Sequence, residues 1–375
     1  MKILLVDTYY DNFLKTFYKN NKYKNESNYE KQITSLLEEN FGTSDAYSFF
    51  LRKNNIEAKD LIVNCRNLQK TWAENNNLKY SNIDLKVPHK FSKIPFLGKR
   101  ISSLKILYKI AKEQIKVFKP DILYCQDISF FSEDIINELK KETNIKLFVG
   151  QIACPLPPKS FIKPYDLILT SFPHFVNFLN EDGINCEYFK IGFDKRILSK
   201  FKTSKRDINF SFVGGISKHH DKAFKTIEYL AKKSTLEIYG YGKGKLPLRS
   251  AIRKKHKGEK WGLEMFKILS RTKISFNRHI NIAQNNANNM RLYEATGMGS
   301  LLLTDKKDNL KNLFEIDEEV ITYSSKEEAL EKYEFFIRNP IEASKIALAG
   351  QARTLKEHTY EIRMQELIDI LKKYL

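Results

Sequence analysis

Apolar residues along the first half of the chain follow two alternating patterns. Short continuous apolar runs, typical of buried parallel strands, predict strands at residues 2–6, 58–63, 122–125, 146–150, 167–170 and 187–191. Apolar residues at helical spacing predict helices at residues 29–39, 101–117 and 132–141. The second of these stops at Lys119-Pro120, because proline ends a helix. Strands that alternate with helices indicate βαβ units and a parallel sheet.

The second half of the chain repeats this pattern after a basic segment, residues 193–206. It predicts a helix at residues 221–233 and strands at residues 209–213, 235–239, 274–276, 300–304 and 320–322. At 375 residues the chain is long enough for two domains of ordinary size. We therefore predict an α/β protein with Rossmann-like domains at residues 1–195 and 205–355, followed by a final helix within residues 356–375.

Residues 285–305, NNANNMRLYEATGMGSLLLTD, form the most informative segment of the chain. An Asn-rich loop that includes Asn289 leads into a short helix, a glycine turn and a buried strand that ends at Asp305. A helix N-terminus offers N–H groups and positive potential to an anion. Arg291 and Glu294 are three residues apart and share one helix face. A cation for phosphate and a carboxylate for ribose hydroxyls suit a nucleotide diphosphate-sugar.

Two further strand ends in the second half carry candidate ligand-binding residues. Gly214 and Gly215 follow the strand at residues 209–213, with Lys218 and His220 in the same loop. Glycines allow close approach of the backbone to a diphosphate, and the alternative is an ordinary turn between strand and helix.

Arg278 and His279 follow the strand at residues 274–276, where ligands of open α/β sheets bind. His279 is expected to meet a phosphate or a sugar hydroxyl; the alternative is a surface histidine.

Composition narrows the class of protein. The apolar run near the N-terminus ends at Asp7, too early for a signal peptide, and no apolar run approaches the ~18 residues of a membrane helix. The four cysteines are scattered without a C-x-x-C pair, so we expect reduced thiols in a cytoplasmic protein. No cluster has metal-ligand spacing and no D-x-D segment is suitably placed, so we expect metal-independent chemistry without a cofactor.

The charge balance is strongly basic, with 64 Lys+Arg against 45 Asp+Glu and a net charge of +19. This favours an anionic partner such as a lipid-phosphate carrier, a membrane surface or an anionic glycan, although a lysine-rich solvated surface explains it equally well. Two clusters, residues 86–100 and 253–260, support the first interpretation. Nothing resembles a nucleic-acid-binding motif, so nucleic acid is not an expected partner.

The chain resembles the CgeB-like glycosyltransferases over nearly its whole length. The C-terminal match is carried by NNMRLYEATGMGSLLLTD, by Phe314-Glu315 and by EHTYEIR at residues 357–363. The N-terminal match is carried by KPDILYCQD, GQIACPLP and YDLILTSFPH and by the long segment from SNYEKQ to LQKTWA. The resemblance implies a GT-B fold: two Rossmann-like domains face each other across a cleft, and residues 360–375 cross back to the first. It also implies a nucleotide-sugar donor on the second domain and an acceptor on the first.

The resemblance also implies roles for individual residues. Many retaining GT-B enzymes carry two glutamates eight positions apart, of which the second holds the ribose; Glu294 matches the second, whereas Asn286 stands at the first. The retaining mechanism is therefore not carried over. Tyr241, in a Gly-Tyr-Gly turn, lies where related proteins approach the base, and the alternative is a simple turn. An inverting transfer needs a base from the acceptor side, for which Asp127 and then Asp7 are candidates unless they cap helices.

These inferences predict a hexosyltransferase-type glycosyltransferase of cell-surface polysaccharide biosynthesis. It would act on a glycan, glycolipid or protein acceptor in the cytoplasm, at the inner face of the membrane. Two alternatives remain open: a nucleotide-sugar 2-epimerase-like enzyme and a non-catalytic glycan-binding relative. Donor consumption without an acceptor would indicate the first, and weak nucleotide binding the second.

Overall fold

The computed structural model describes residues 1–20, 26–79, 103–201, 205–216 and 221–375. Within these ranges the chain forms two compact units, each built on one parallel sheet. Unit 1 comprises Met1–Thr170, His174–Tyr188 and Leu367–Leu375, and unit 2 comprises Ser171–Pro173 and Phe189–Glu366. The chain passes from unit 1 to unit 2 before the basic segment 193–206 in which the sequence places the boundary. The end of the chain belongs to unit 1, as the resemblance implies.

The first sheet has the strand order β2-β1-β3-β4-β5-β6, all parallel. Its strands are β1 (Lys2–Asp7), β2 (Glu57–Ile62), β3 (Ile122–Cys125), β4 (Leu147–Ile152), β5 (Leu167–Thr170) and β6 (Cys186–Tyr188). The helices of this half are α1 (Asp11–Asn20), α2 (Tyr29–Glu38), α3 (Ala46–Lys53), α4 (Arg66–Asn75), α5 (Ser103–Phe118), α6 (Glu133–Glu142) and α7 (Pro173–Glu181). Strands β3 and β5 are buried at every position, as expected for a sheet covered on both faces.

The second sheet has the order β11-β10-β9-β7-β8, again all parallel. Its strands are β7 (Ile208–Val213), β8 (Glu237–Tyr239), β9 (Thr272–Phe276), β10 (Leu301–Asp305) and β11 (Ile321–Tyr323). The helices are α8 (Asp221–Lys233), α9 (Ala251–Lys255), α10 (Gly262–Arg271), α11 (Met290–Gly297), α12 (Lys326–Arg338), α13 (Pro340–Glu357) and α14 (Tyr360–Lys372). Strands β8 and β9 lie on opposite sides of β7, so the strand order reverses at β7. Such a reversal creates a crevice at the carboxyl edge of the sheet.

The order of strands and helices agrees with the pattern read from the sequence, and the differences have local causes. Strand β6 ends at Tyr188 rather than at Ile191, because its neighbour β5 ends at Thr170, the residue that pairs with Tyr188. Helix α5 ends at Phe118, directly before Lys119 and Pro120, as predicted. The apolar pattern does not predict α3, α4 or α10, which have only 8 to 10 residues each.

Strand β2 carries a carboxylate in an unfavourable position. Asp60 lies half-buried beside Ser48 of α3, which donates a hydrogen bond to it. Burial raises the pKa of Asp60 to about 7, and the charges of Asp45 and Asp7 add to the effect, while Ser48 and Arg52 oppose it. The folded state therefore binds this proton more tightly than the unfolded state, so stability falls as pH rises from the unfolded pKa through about 7.

Asp60→Asn is therefore expected to stabilise the protein at pH 8, by roughly 1–3 kcal/mol, and to have little effect below pH 4. The measurement is urea unfolding at both pH values. Asp207→Asn is the control, because a hydrogen bond from Arg271 lowers the pKa of Asp207, and this substitution should not stabilise at pH 8. Equal stability of Asp60→Asn and the parent at pH 8 would contradict the assignment.

Candidate functional site

The loops after β7, β9 and β10 meet the start of α11 at the carboxyl edge of the second sheet. The Arg291 Nε donates to the carbonyl of Val213 at the end of β7, at 3.1 Å. The amide N–H of His279, after β9, donates to Asp305 Oδ1 at the end of β10, at 3.0 Å. The structure therefore places Arg291 and His279 at the carboxyl edge of the sheet, beside the strand at which the strand order reverses.

Arg291 and Glu294 share a face of α11, as their spacing predicts, and they bind each other. Arg291 Nη1 lies 2.7 Å from Glu294 Oε2, and both side chains are largely buried. Burial raises the pKa of Glu294, and the Arg291 charge opposes that rise. Arg291 thus binds both Glu294 and the Val213 carbonyl, whereas Glu294 Oε1 accepts no hydrogen bond from the described residues.

Asn289 begins α11 and connects it to β9. Its Oδ1 accepts from the amide N–H of Leu292 at 3.1 Å, which makes it the N-cap. Its Nδ2 donates to Asn277 Oδ1 at 3.1 Å and lies 3.3 Å from the Arg278 carbonyl. Asn277 in turn donates to Thr304 of β10 at 3.0 Å. This buried amide chain holds the three elements in register, so Asn289 has a structural role in addition to any contact with a ligand.

After β9, Arg278 and His279 each have a buried nitrogen without a hydrogen-bond partner among the described residues. His279 is buried; its Nδ1 lies 2.7 Å from Asp305 Oδ1, while Nε2 is buried without a hydrogen-bond partner among the described residues. Arg278 Nη1 is likewise buried without a partner, and its Nη2 contacts Asn281 at 3.3 Å. Burial lowers the pKa of Arg278, although Tyr323 and Asp305 oppose this. An anion at this position would accept a hydrogen bond from Arg278 Nη1, and also from His279 Nε2 when the imidazole carries a proton on both nitrogens.

Asp305 is the functional candidate that the sequence interpretation missed. Burial tends to raise its pKa, but the hydrogen bond and charge of His279, together with Lys307, hold the pKa below its usual range. Lys307 Nζ lies 3.4 Å from Asp305 Oδ2. The position of Asp305 at a strand end was visible in the sequence, but its pairing with His279 depends on the neighbouring register of β9 and β10.

The glycines after β7 and β8 are required by packing. A Cβ on Gly215 would lie 2.1 Å from the Tyr241 ring, and one on Gly240 would lie 2.0 Å from the Gly214 carbonyl oxygen. Gly240 also has a φ of 139°, which favours glycine. Close contact between these two loops therefore explains Gly215 and Gly240 without a ligand, and the predicted contact of Gly214 and Gly215 with phosphate stays a prediction.

Tyr241 lies near Trp261, with ring centroids 6.0 Å apart and planes at 13°. The pair forms an aromatic surface beside the end of β8, and the contact of Tyr241 with a base stays a prediction. Lys218 and His220 lie outside the described residues.

The carboxyl edge of the first sheet carries the two predicted bases. Asp127 accepts from Thr8 Oγ1 at 2.7 Å and from the Ser129 N–H at 3.0 Å, so both of its oxygens are bound. Asp7 Oδ1 accepts from the Thr8 N–H at 2.7 Å, and Oδ2 has no hydrogen-bond partner among the described residues. Burial raises the pKa of Asp7 to about 7, the Thr8 hydrogen bond opposes this, and Asp127 adds to it. This geometry favours Asp7 over Asp127 as a base, the reverse of the order read from sequence.

Among the described residues, no three His, Cys, Asp or Glu side chains are grouped to hold a metal ion. None of the helices described is both long and apolar enough to cross a bilayer. Cys65, Cys125 and Cys186 are buried and Cys154 is exposed, all as free thiols.

Two Rossmann-like domains, each with a parallel sheet and flanking helices, define the GT-B class, which confirms the predicted fold class. The sequence model of a family described as "Glycosyl transferase-like" matches residues 201–369. No curated protein matches the chain in sequence.

Several solved structures are similar to the whole chain. HepE of Anabaena, solved with UDP-glucose, has a TM-score of 0.61 at 12% identity and covers 100% of both chains. A glycosyltransferase of Rickettsia africae has a TM-score of 0.58 at 12% identity, covering 100% of this chain and 98% of that one. A Listeria monocytogenes protein provisionally described as a UDP-N-acetylglucosamine 2-epimerase has a TM-score of 0.55 at 11% identity, covering 100% and 96%.

Removing Arg291 should leave the Glu294 carboxylate buried without its partner. Arg291→Met is expected to lower the free energy of unfolding by on the order of 3 kcal/mol at pH 8, and by less at pH 5, where Glu294 can bind a proton. The measurement is chemical denaturation at both pH values.

The control is the double variant Arg291→Met/Glu294→Met, which removes both charges and should recover much of the loss. Equal losses in the single and double variants would show that the ion pair does not carry the effect.

Proposed function

We propose that this protein is a glycosyltransferase related to the CgeB-like enzymes. It would transfer a hexosyl group, without a metal, from a nucleotide diphosphate-sugar to a glycan, glycolipid or protein acceptor. We further propose a cytoplasmic role in cell-surface polysaccharide synthesis, with peripheral contact to an anionic membrane. Support comes from the match to the glycosyl transferase-like family over residues 201–369 and from the fold shared with HepE and the Rickettsia enzyme.

The observation that carries the proposal is the pair of orphaned groups after β9. A buried guanidinium nitrogen and a buried imidazole nitrogen, neither with a hydrogen-bond partner in the described part of the chain, leave Arg278 and His279 with unused hydrogen-bonding capacity. Such groups cost free energy unless a ligand binds them. They lie at the carboxyl edge of a parallel sheet, beside the strand at which its order reverses, where nucleotides bind in open α/β proteins. The ligand chemistry that fits best is a diphosphate.

The remaining donor contacts follow from this placement. With Arg278 and His279 on the diphosphate, Glu294 Oε1 is available for the ribose hydroxyls, while Arg291 keeps the Glu294 carboxylate ionised and oriented. Tyr241 would stack against the base. Gly214, Gly215, Lys218 and His220 would approach the phosphates from the loop after β7. Arg291 thus acts mainly through Glu294, which modifies its predicted role as a direct phosphate ligand.

Arg278→Ala is expected to weaken UDP binding by roughly 10- to 100-fold, because a charge-assisted hydrogen bond to phosphate is lost, and to leave uridine binding nearly unchanged. Isothermal titration of UDP and uridine measures both; where a thermal-shift screen selects another base, the corresponding nucleotide replaces UDP.

The matched control is Arg271→Ala, which removes an arginine beside the amino end of β9, paired with Asp207 at 2.8 Å. It should bind UDP as the parent does. Equal affinity of Arg278→Ala and Arg271→Ala for UDP would remove the basis of the donor site.

For an inverting transfer, we propose Asp7 as the base that takes the proton of the acceptor hydroxyl. A carboxylate with a pKa near 7 is half ionised at neutral pH and is a stronger base than an ordinary aspartate. Its Oδ2 is available, whereas both oxygens of Asp127 are held by Thr8 and Ser129. Asp127 then positions Thr8 and raises the basicity of Asp7 through its charge.

Asp7→Asn should lower turnover by at least ~10²-fold while UDP affinity and folding are retained, because the substitution removes the basic group. The parent's kcat/KM should rise as pH increases through about 7, the pKa of Asp7, since the ionised form is the active one. Asp127→Asn serves as the comparison and should reduce turnover less. A larger loss in Asp127→Asn than in Asp7→Asn would restore Asp127 as the base.

The similarity to the Listeria protein keeps a 2-epimerase as a second candidate, because the same fold is found in a chain described by that activity. Incubation with UDP-N-acetylglucosamine in the absence of an acceptor separates the two. An isomerised sugar still attached to UDP indicates an epimerase, whereas transfer only in the presence of acceptor indicates a glycosyltransferase. A protein that catalyses neither reaction and binds the nucleotide only weakly would be the non-catalytic relative.

A further inference from the structure

The strongest concentration of charge in unit 2 lies in residues 243–257, which we call the basic loop surface. This segment contains seven Lys or Arg residues and no Asp or Glu, whereas the whole chain has 64 basic and 45 acidic residues. Its basic residues are Lys243, Lys245, Arg249, Arg253, Lys254, Lys255 and Lys257. The bias is therefore local and exceeds the lysine-rich composition of the chain.

The basic loop surface is held in a defined conformation. Arg253 Nη1 donates to the carbonyls of Lys243 and Leu246, both at 3.3 Å, which folds the loop back onto α9. Glu228 of α8 accepts from Ser250 Oγ at 2.6 Å and from the N–H of Ala251 at 2.8 Å. Leu246 is buried beneath the loop. These contacts therefore hold the backbone that carries the cations in one conformation.

These cations are not neutralised by neighbouring carboxylates. None of the seven forms an ion pair with a described Asp or Glu, whereas Lys260, just beyond the segment, pairs with Glu264 at 3.3 Å. The nearby Glu228 is bound to the start of α9 and to Lys232 at 3.5 Å. The basic loop surface thus presents uncompensated positive charge to solvent.

An apolar side chain projects from the centre of this charge. Leu248 is 80% exposed, far more than most large apolar residues of the protein, and it follows the exposed Pro247. Lys245 and Arg249, both exposed, flank these two residues. Exposed apolar side chains surrounded by lysine and arginine are typical of segments that lie at a membrane interface, where the apolar group enters the acyl boundary and the cations meet lipid phosphates.

We propose that the basic loop surface docks the protein on an anionic lipid bilayer, with Leu248 inserted and the surrounding cations against the headgroups. A nucleic acid fits less well, because single-strand binding relies on exposed aromatic rings for stacking, and the segment contains no Phe, Tyr or Trp. Its one imidazole, His256, is occupied by the Gly240 carbonyl at 2.7 Å and the Gly258 N–H at 3.0 Å. This inference rests on the membrane contact included in the proposed function and deepens it by assigning that contact to one surface; it does not depend on the donor.

The test is co-sedimentation of the full chain with vesicles of phosphatidylcholine, with or without roughly one third phosphatidylglycerol. The parent should bind the anionic vesicles only, and salt should release it. Lys245→Gln/Lys254→Gln/Lys257→Gln should weaken partitioning by about 100-fold, since each cation near an anionic surface contributes about a factor of five. Leu248→Ser should weaken it by roughly 10-fold.

The matched control is Lys141→Gln/Lys267→Gln/Lys345→Gln, which removes the same charge at exposed sites outside the basic loop surface and should bind as the parent does. Equal loss in both triple variants would show a general charge effect and overturn the proposal. Vesicle binding that is lost only in Lys90→Gln/Lys93→Gln/Lys99→Gln, in the other basic cluster, would also overturn it.

Binding to heparin or single-stranded DNA without binding to vesicles would assign the surface to a polyanion. A change in UDP affinity alone would assign it to the donor.

Discussion

The buried ion pair between Arg291 and Glu294 is the interaction on which the second unit's carboxyl edge depends. Arg291 also donates to the Val213 carbonyl, so the end of β7, the start of α11 and the Glu294 carboxylate are held by one guanidinium. Burying two charges costs free energy, which their mutual attraction and further hydrogen bonds must offset. Because this pair fixes the position and direction of α11, Asn289 can cap the helix and also donate to the loop after β9.

Charged groups lie in different environments at the carboxyl edges of the two sheets. In unit 2, Arg278 and His279 have buried nitrogens that find no hydrogen-bond partner among the residues the structure describes. In unit 1, Asp7 has a pKa raised to about 7 by burial, a condition suited to accepting a proton near neutral pH. Desolvation thus lowers the pKa of Arg278 at one edge and raises the pKa of Asp7 at the other, and the proposed donor and base roles rest on these two effects. Both conditions follow from placing polar groups at the ends of strands that are otherwise buried.

Strand and helix order could be predicted because parallel strands buried on both faces appear as continuous apolar runs, whatever their partners. The same reasoning located Arg291, Glu294, Arg278, His279 and Asp7 at strand ends or on a helix start. It placed Asp127 before Asp7 as the candidate base; the reversed order proposed above rests on Thr8 and Ser129, which occupy both oxygens of Asp127 and which no local pattern reveals. It also predicted phosphate contact for the glycines after β7 but not that the Tyr241 ring packs against Gly215.

The sequence by itself determined the α/β class, the two repeats of the strand-helix pattern and the residue types available for a diphosphate-sugar. These depend on local periodicity and on chemistry carried by single side chains. Only the tertiary structure decided which of those side chains are already paired, because pairing depends on register between strands distant along the chain. Asp305 illustrates this: its link to His279 exists because β9 and β10 are adjacent and parallel, and no local pattern encodes that adjacency.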